Sequence, residues 1–182
     1  MATNLLNTFR ISIEDYYRAH KRPLPWRKDE PVPYEVWLSE IILQQTRVAQ
    51  GTPYWEKILA AFPTVDALAN AEEDKLMSLW TGLGYYNRAR NLQKGAKQIV
   101  SEFGGKMPTT FEDLLTITGI GPYTAAAIAS ICFNEKVGVV DGNVYRGLSR
   151  FFGIATPINQ TVGLKDFQSL ANAIIQNTSD AA

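Results

Sequence analysis

The segment LLTITGIGPYTAAAIAS, residues 114–130, restricts the possible folds more than any other stretch of the chain. An apolar run enters a Gly119-Ile120-Gly121 turn, and a row of small residues follows. Two architectures could place such a turn. In one, a β-strand feeds a glycine-rich turn and a helix. Asp141, roughly 20 residues further on at the end of VGVV, would then sit where a dinucleotide-binding unit puts its ribose-binding acid. In the other, two helices are joined by a tight glycine hairpin. The first architecture fails on detail. Its third small position is occupied by Thr124, and LLTIT lies in a segment that Thr110 opens as a helix, with Asp113 spaced like a capping-box partner. The hairpin reading remains.

The rest of the chain reads as helical too. Residues 36–48 (VWLSEIILQQTRV) carry Trp37, Ile41 and Val48 near one face, with Leu38 and Ile42 beside it, and read as one helix. Thr52-Pro53 reads as an N-cap with proline at the first helical position. Thr64 precedes VDALANA, and Asn70 precedes AEEDKLMSLW with acids in its first turn. A helix from Arg88 to Phe103 should stop at Gly104-Gly105, and a short helix opening at Thr110 should end at Gly119. Strand-like alternation is scarce, and VGVV alone suggests it. The C-terminal FQSLANAIIQNTSDAA ends in small polar residues without a clear stop. The expectation is an all-α protein of about ten helices, many of them short.

Composition narrows the chemistry. At 182 residues, with 46% apolar and 20% charged, the chain can build one good core or two small lobes. No stretch approaches the roughly 20 apolar residues that span a bilayer, and the opening MATNLLNTFRISIEDYYRAH lacks the continuous apolar core of a secretory leader. The single histidine, His20, lies among basic residues and reads as solvated. The single cysteine, Cys132, lies in the apolar AAAIASICF. It reads as a buried, inert thiol of a reducing compartment, without the partners that a thiolate metal site or a disulfide needs. Net charge is zero, but its distribution is uneven. Six bases face two acids from Arg10 to Lys28, and five face one from Tyr85 to Lys106. Such stretches are either solvated helix faces or a local phosphate-binding surface.

Four features carry candidate chemistry. The hairpin at Gly119 and Gly121 lets backbone approach a phosphate, and the following helix start offers N–H groups to it. This is how a protein grips a nucleic-acid backbone without reading sequence, although a glycine turn in any bundle looks alike. A second glycine turn, LWTGLGYYNRARN, sets Tyr85 and Tyr86 before the basic run that begins at Arg88. Either tyrosine is a core aromatic or a stacking wedge. Glu40 interrupts an otherwise apolar helix. It either lies on an exposed stripe or is drawn among apolar neighbours, which would raise its pKa and suit a general acid. Gln44 and Gln45 follow with amides suited to base edges. Asp141, before Gly142 and Asn143, is by position a helix N-cap, and is also a second carboxylate. Two carboxylates with a DNA-gripping hairpin between them suggest cleavage of a glycosidic bond, one protonating the leaving base and one stabilising the sugar cation.

The order LPWR (24–27), PYEVWLSEIILQQTRV (33–48), FPTVDALANA (62–71), LWTGLGYYNRARNL (79–92), GIGPYTAAAI (119–128) and VDGNVYR (140–146) resembles the MutY-type adenine DNA glycosylases. These belong to the helix-hairpin-helix glycosylase superfamily, relatives of endonuclease III. The resemblance runs from about Leu24 to at least Ile158. It implies an all-α fold of two lobes flanking a DNA-binding cleft. A six-helix barrel lobe over 24–131 would include a helix-hairpin-helix at about 111–130, and a second lobe would form from 1–23 and 132–182. The implied activity is removal of adenine mispaired with 8-oxoguanine or guanine, the extruded base being held between the lobes. Glu40 matches the acid that protonates adenine at N7. Asp141 matches the carboxylate that stabilises the oxocarbenium ion, and Tyr123 and Asn143 match residues that assist the two. Gln45 and Tyr85 match residues at the lesion pair, with Arg27, Leu43 and Arg88 as further DNA contacts and Gly119 and Gly121 at the backbone grip. The carbonyls of Leu115, Ile117 and Ile120 match those that hold a monovalent cation.

Position 123 separates reaction types. Where lyase members carry a Schiff-base lysine, two residues after the second hairpin glycine, this chain has Tyr123. Another lysine sometimes found after DGNV is here Tyr145. A monofunctional enzyme is expected. Two family features are not found: the four cysteines of a [4Fe–4S] loop and the C-terminal domain that reads 8-oxoguanine. The chain therefore reads as a fragment of a longer, cluster-bearing protein, with a second lobe left incomplete, reduced DNA affinity, and reduced or no activity of its own. The remaining expectations are a cytoplasmic monomer acting on double-stranded DNA, with no membrane partner. The rival readings are a non-catalytic helix-hairpin-helix DNA-binding module and a superfamily glycosylase with another lesion preference.

Overall fold

The computed structural model describes residues 2–176 and 178, with the side chains of residues 2 and 3 left aside. The expected small polar ending over residues 179–182 lies outside the described residues. Ten α-helices and no strands are found among the described residues. The chain divides into two units, Leu24–Phe133 and Met1–Pro23 with Asn134–Ala182.

The larger unit is built around α2, Pro33–Leu43. Its sequence, PYEVWLSEIIL, is apolar on nearly every side, and a helix of that kind has to be enclosed. Trp37, Leu38 and Ile42 are fully buried, and the one buried polar side chain, Ser39, donates to Val36 O at 2.8 Å. Around it pack α3 (Val48–Ala61), α6 (Asn87–Phe103) and α8 (Pro122–Phe133), while α4 (Val65–Ala69) and α5 (Glu73–Trp80) lie on α6. The short α7 (Phe111–Thr116) pairs with α8. In α8 the run Thr124–Ser130 is buried entirely, because small side chains let its backbone come close to α2 and α7. Because α8 continues through Cys132, the division falls after Phe133 rather than after residue 131.

Local signals hold where caps are local. The Thr64 side chain accepts from Ala67 N, and the Thr110 side chain accepts from Asp113 N. α6 ends at Gly104 in the left-handed region. Four boundaries differ from the sequence reading. Residues 36–48 are two helices: α2 stops at Leu43, and Gln45 adopts φ 57°. Arg88 causes the break, since its guanidinium takes the last carbonyls of α2 and so caps it from another helix. Thr52 and Pro53 lie inside α3, which opens at Val48. The Thr52 hydroxyl bonds Val48 O at 2.9 Å instead of capping. Asn70 ends α4 rather than opening α5, its side chain donating to Asp66 O at 2.9 Å. Finally, α7 ends at Thr116 and Gly119 lies in the following turn, at φ +86°.

The smaller unit contains α1 (Ala2–His20), α9 (Gly142–Phe152) and α10 (Thr161–Ile175). Its core is small: Leu148, Phe167 and Ala171 are buried, with Phe9, Val140 and Tyr145 among the residues packed on them. Tyr145 meets Phe167 edge-on, with centroids 5.0 Å apart. The strand-like VGVV finds no ladder here. Its Gly138 N–H donates to Asn172 Oδ1 at 2.9 Å and its Gly138 carbonyl accepts from Gln168 Nε2 at 2.7 Å, so α10 side chains take the place of a neighbouring strand.

Candidate active site

In the larger unit the central group is Glu40. It occupies the last turn of α2, half-buried where its neighbours Leu38, Ile41 and Ile42 are fully or almost fully buried. Burial raises its pKa above the usual carboxylate value, and the positive charge of Arg27 opposes that rise. The placement of Arg27 follows from LPWR. Trp26 is buried against Trp55 at a centroid distance of 5.5 Å, and Arg27 N–H closes a turn on Leu24 O at 2.9 Å. The arginine is thus left exposed next to the buried anchor. Burial pushes the Cys132 thiol up to about 12, and the Glu40 charge adds to the effect. Cys132 is therefore a protonated thiol on the α8 side of Glu40, in keeping with an inert role.

The hairpin between α7 and α8 is held from α6. Gly119 lies at φ +86°, and Ile120 N–H donates to Ile117 O at 3.0 Å. Gln98 grips the turn with both ends of its amide. Its Oε1 accepts the Thr118 N–H at 3.0 Å, and its Nε2 donates to Thr116 O at 3.0 Å. One turn earlier in α6 stands Gly95, whose missing side chain makes room. A Cβ there would lie 2.8 Å from Thr118 O, 3.0 Å from Ile117 Cγ2 and 3.1 Å from Trp37 Cζ2. Sequence reasoning missed both residues, because their partners lie a whole hairpin away. Gly121, Pro122 and Tyr123 are exposed where α8 begins. Of the three carbonyls expected to hold a cation, those of Leu115, Ile117 and Ile120, the Ile117 carbonyl accepts one hydrogen bond, from Ile120 N–H, and keeps a lone pair.

Two further turns present Gln45 and Tyr85. Both are exposed, Tyr85 at 67%, and both have positive φ, 57° and 47°, which is unusual away from glycine. Leu43 is half-buried at the end of α2. Arg88 lies between the two turns. One terminal nitrogen reaches Ile41 O (3.1 Å), Ile42 O (2.9 Å) and Gln44 O (2.5 Å), and the other reaches Leu83 O (3.2 Å) and Gly84 O (3.4 Å). The side chain expected to contact DNA is turned onto the protein. Among the other bases, Arg90 pairs with Glu73 at 3.2 Å and Lys28 with Glu35 at 2.6 Å, while Lys94 and Lys97 are exposed on α6.

In the smaller unit Asp141 is the N-cap of α9. Its Oδ1 accepts from Asn143 N at 2.9 Å and Val144 N at 2.8 Å, and its Oδ2 accepts from Asn143 Nδ2 at 3.2 Å. Arg146 in turn donates to Asn143 Oδ1 at 2.7 Å. One carboxylate oxygen is therefore committed to the cap, and the other carries a single amide contact. His20, on α1, stacks on Tyr16 with a ring separation of 4.3 Å and takes no part in this arrangement.

A [4Fe–4S] cluster takes four thiolates. This chain has Cys132 alone, half-buried and held protonated, so its residues do not fit one. Among the described residues, no helix is long and apolar enough to cross a membrane.

The family model described as "HhH-GPD superfamily base excision DNA repair protein" matches residues 38–170. The human adenine DNA glycosylase is 43% identical over 178 residues, covering 93% of this chain and 33% of the relative. That of Buchnera aphidicola subsp. Schizaphis graminum is 43% identical over 139 residues, covering 76% and 40%. Among solved structures, a thermostable thymine-DNA glycosylase superposes with a TM-score of 0.85 at 24% identity, covering 95% of this chain and 79% of that one. The chain thus spans about a third of the human relative's length. With the hairpin, the capped aspartate and the helical architecture all in place, the chain belongs to the HhH-GPD superfamily of base excision DNA repair proteins.

Proposed function

We propose that this chain carries the base-releasing machinery of a monofunctional adenine DNA glycosylase. Its substrate would be a double-stranded DNA in which adenine is mispaired with 8-oxoguanine or guanine. The observation that carries the reading is Glu40, a carboxyl group drawn into the apolar wall of α2 with its pKa raised by burial. Such a group stays protonated further toward neutral pH than an exposed one, as a general acid must. In the proposed reaction Glu40 donates its proton to N7 of the adenine. The C1′–N9 bond breaks with its electron pair leaving on the base, and the sugar becomes an oxocarbenium ion. Asp141 Oδ2 would stabilise that positive charge, with the carboxylate held in one rotamer by its cap bonds. Water then adds to C1′ and gives up a proton, leaving an abasic site.

Asn143 holds Asp141 and is itself held by Arg146. Tyr123, exposed at the start of α8, stands where a lyase would carry its amine, and a phenol forms no Schiff base. Gln45 and Tyr85 would probe the lesion pair, Leu43 and Arg27 would border it, and the turn at Gly119 and Gly121 would hold the backbone. A monovalent cation on the carbonyls of Leu115, Ile117 and Ile120 would complete that grip. The protein would act as a monomer in the cytoplasm, or on the nucleoid in a bacterium. The adenine DNA glycosylase relatives at 43% identity support the choice of base.

The test is single-turnover adenine release from a duplex bearing A opposite 8-oxoguanine, for the parent, Asp141→Asn and Glu40→Gln, with borohydride added to part of each reaction. The expected result is strand cleavage only after alkali, no borohydride-trapped adduct, and rates at least about 10²-fold lower in both variants. A trapped adduct would refute the monofunctional reading. Absence of base release by the parent would refute the activity.

A further inference from the structure

Arg88 is the most heavily engaged side chain of the larger unit. Its carbonyl partners lie on two turns far apart in sequence, 44–46 and 82–86, and on the C-terminal end of α2. Ile41 and Ile42, whose carbonyls it takes, directly follow Glu40. Thr46 Oγ1 lies at 3.5 Å from the same terminal nitrogen. The guanidinium also lies over the rings of Trp80, at 5.4 Å, and Tyr85, at 5.6 Å. Its Nε is buried with no hydrogen-bond partner, so all the bonding runs through the two terminal nitrogens. A cation at this end of α2 also complements the helix dipole.

The two turns it joins carry Gln45 and Tyr85, both in the left-handed region. Such conformations persist only where surrounding structure holds them. We propose that Arg88 is a positioning residue that locks the Gln45 turn, the Tyr85 turn and the Glu40 end of α2 into one rigid element, so that probing of the lesion pair and placement of the acid move together. The inference rests on the reading of Gln45 and Tyr85 as lesion-pair contacts. It replaces the expectation that Arg88 binds DNA, because the donors a phosphate would need are committed to carbonyls. Only a planar fork reaches both turns at once. A lysine ammonium, a single point of donation, cannot join the two turns, and without that joint neither turn is held.

The test uses Arg88→Lys, which keeps the charge, and Arg88→Met. In the free protein, amide exchange is followed at Thr46, whose N–H bonds Leu43 O at 3.1 Å, and at Leu83, whose N–H bonds Trp80 O at 3.0 Å. Exchange should rise about tenfold or more at both amides in Arg88→Lys while the core of α6 is unchanged. A rise at one turn alone, at neither, or uniformly across the unit overturns the proposal. Binding to undamaged duplex should keep its salt dependence. A slope lowered by about 0.9 would instead identify a phosphate contact and overturn the proposal. Preference for the A·8-oxoguanine duplex should fall in Arg88→Lys but fall no further when Gln45→Ala and Tyr85→Ala are already present. Additive losses overturn the coupling. A parent without any preference would defeat the functional reading, and the exchange measurement would still decide the role of Arg88.

Discussion

Gly95→Ala pits two effects of known size against each other. In a helix interior, alanine is favoured over glycine by about 1 kcal/mol, so propensity alone makes the substitution stabilising. The added Cβ, however, would sit 2.8 Å from the Thr118 carbonyl, with Ile117 and Trp37 at 3.0 and 3.1 Å. None of these neighbours yields easily. Trp37 is fully buried, and Gln98 bonds the chain on both sides of Ile117, at Thr116 O and Thr118 N. Overpacking of this kind costs about 1–3 kcal/mol, and more where backbone must shift. The net expectation is destabilisation by about 1–2 kcal/mol, together with a displaced hairpin. All four tryptophans (Trp26, Trp37, Trp55 and Trp80) lie in the larger unit, so a urea titration followed by tryptophan fluorescence reports on it directly. Binding to undamaged duplex should weaken in parallel. A variant as stable as the parent or more so, with DNA binding intact, would refute the close seating of the hairpin on α6.

Three further outcomes follow from the same geometry. Gly147, exposed in the middle of α9 with open space around its Cα, should give the opposite sign: Gly147→Ala stabilises by about 1 kcal/mol in a melt followed by far-UV circular dichroism. Glu40 binds its proton more tightly folded than unfolded, so parent stability falls as pH rises from the ordinary value of 4.5 through the raised one. Glu40→Gln has no such slope. It should become more stable than the parent toward neutral pH and lose that advantage below about 4.5, as urea titrations across pH would show. Asp141→Ala removes the α9 cap and should cost about 1 kcal/mol, whereas Asp141→Asn retains a capping side chain and should lose base release with little loss of stability.

What could be read in the sequence was what local chemistry decides. Thr64, Thr110 and Asp141 are capping residues bonded to amides two or three positions away, and a window of four residues reveals each. Glu40 stands out because it is the acid of α2 that lies among apolar neighbours beyond the first turn, where Glu35 suits the helix dipole, and its burial follows from those neighbours. The end of α2 was not legible, because the group that terminates it, Arg88, lies on another helix. The seating of the hairpin on Gly95 and Gln98 was hidden for the same reason. So was the placement of Arg27 near Glu40, which depends on Trp26 packing against Trp55. VGVV looked like a strand because its residues favour extended backbone, but its hydrogen-bond partners are the side chains of Gln168 and Asn172. Propensity described the conformation there without identifying what satisfies it.

The most direct test of the central claim, that a half-buried Glu40 delivers the proton that releases the base, is the pH dependence of the single-turnover rate of adenine release. The parent's rate should hold on the acid side and fall as pH rises through a pKa above 4.5, while Glu40→Gln should be slower throughout and lack that limb. A Glu40→Gln protein with the parent's rate and the parent's pH profile would contradict the account.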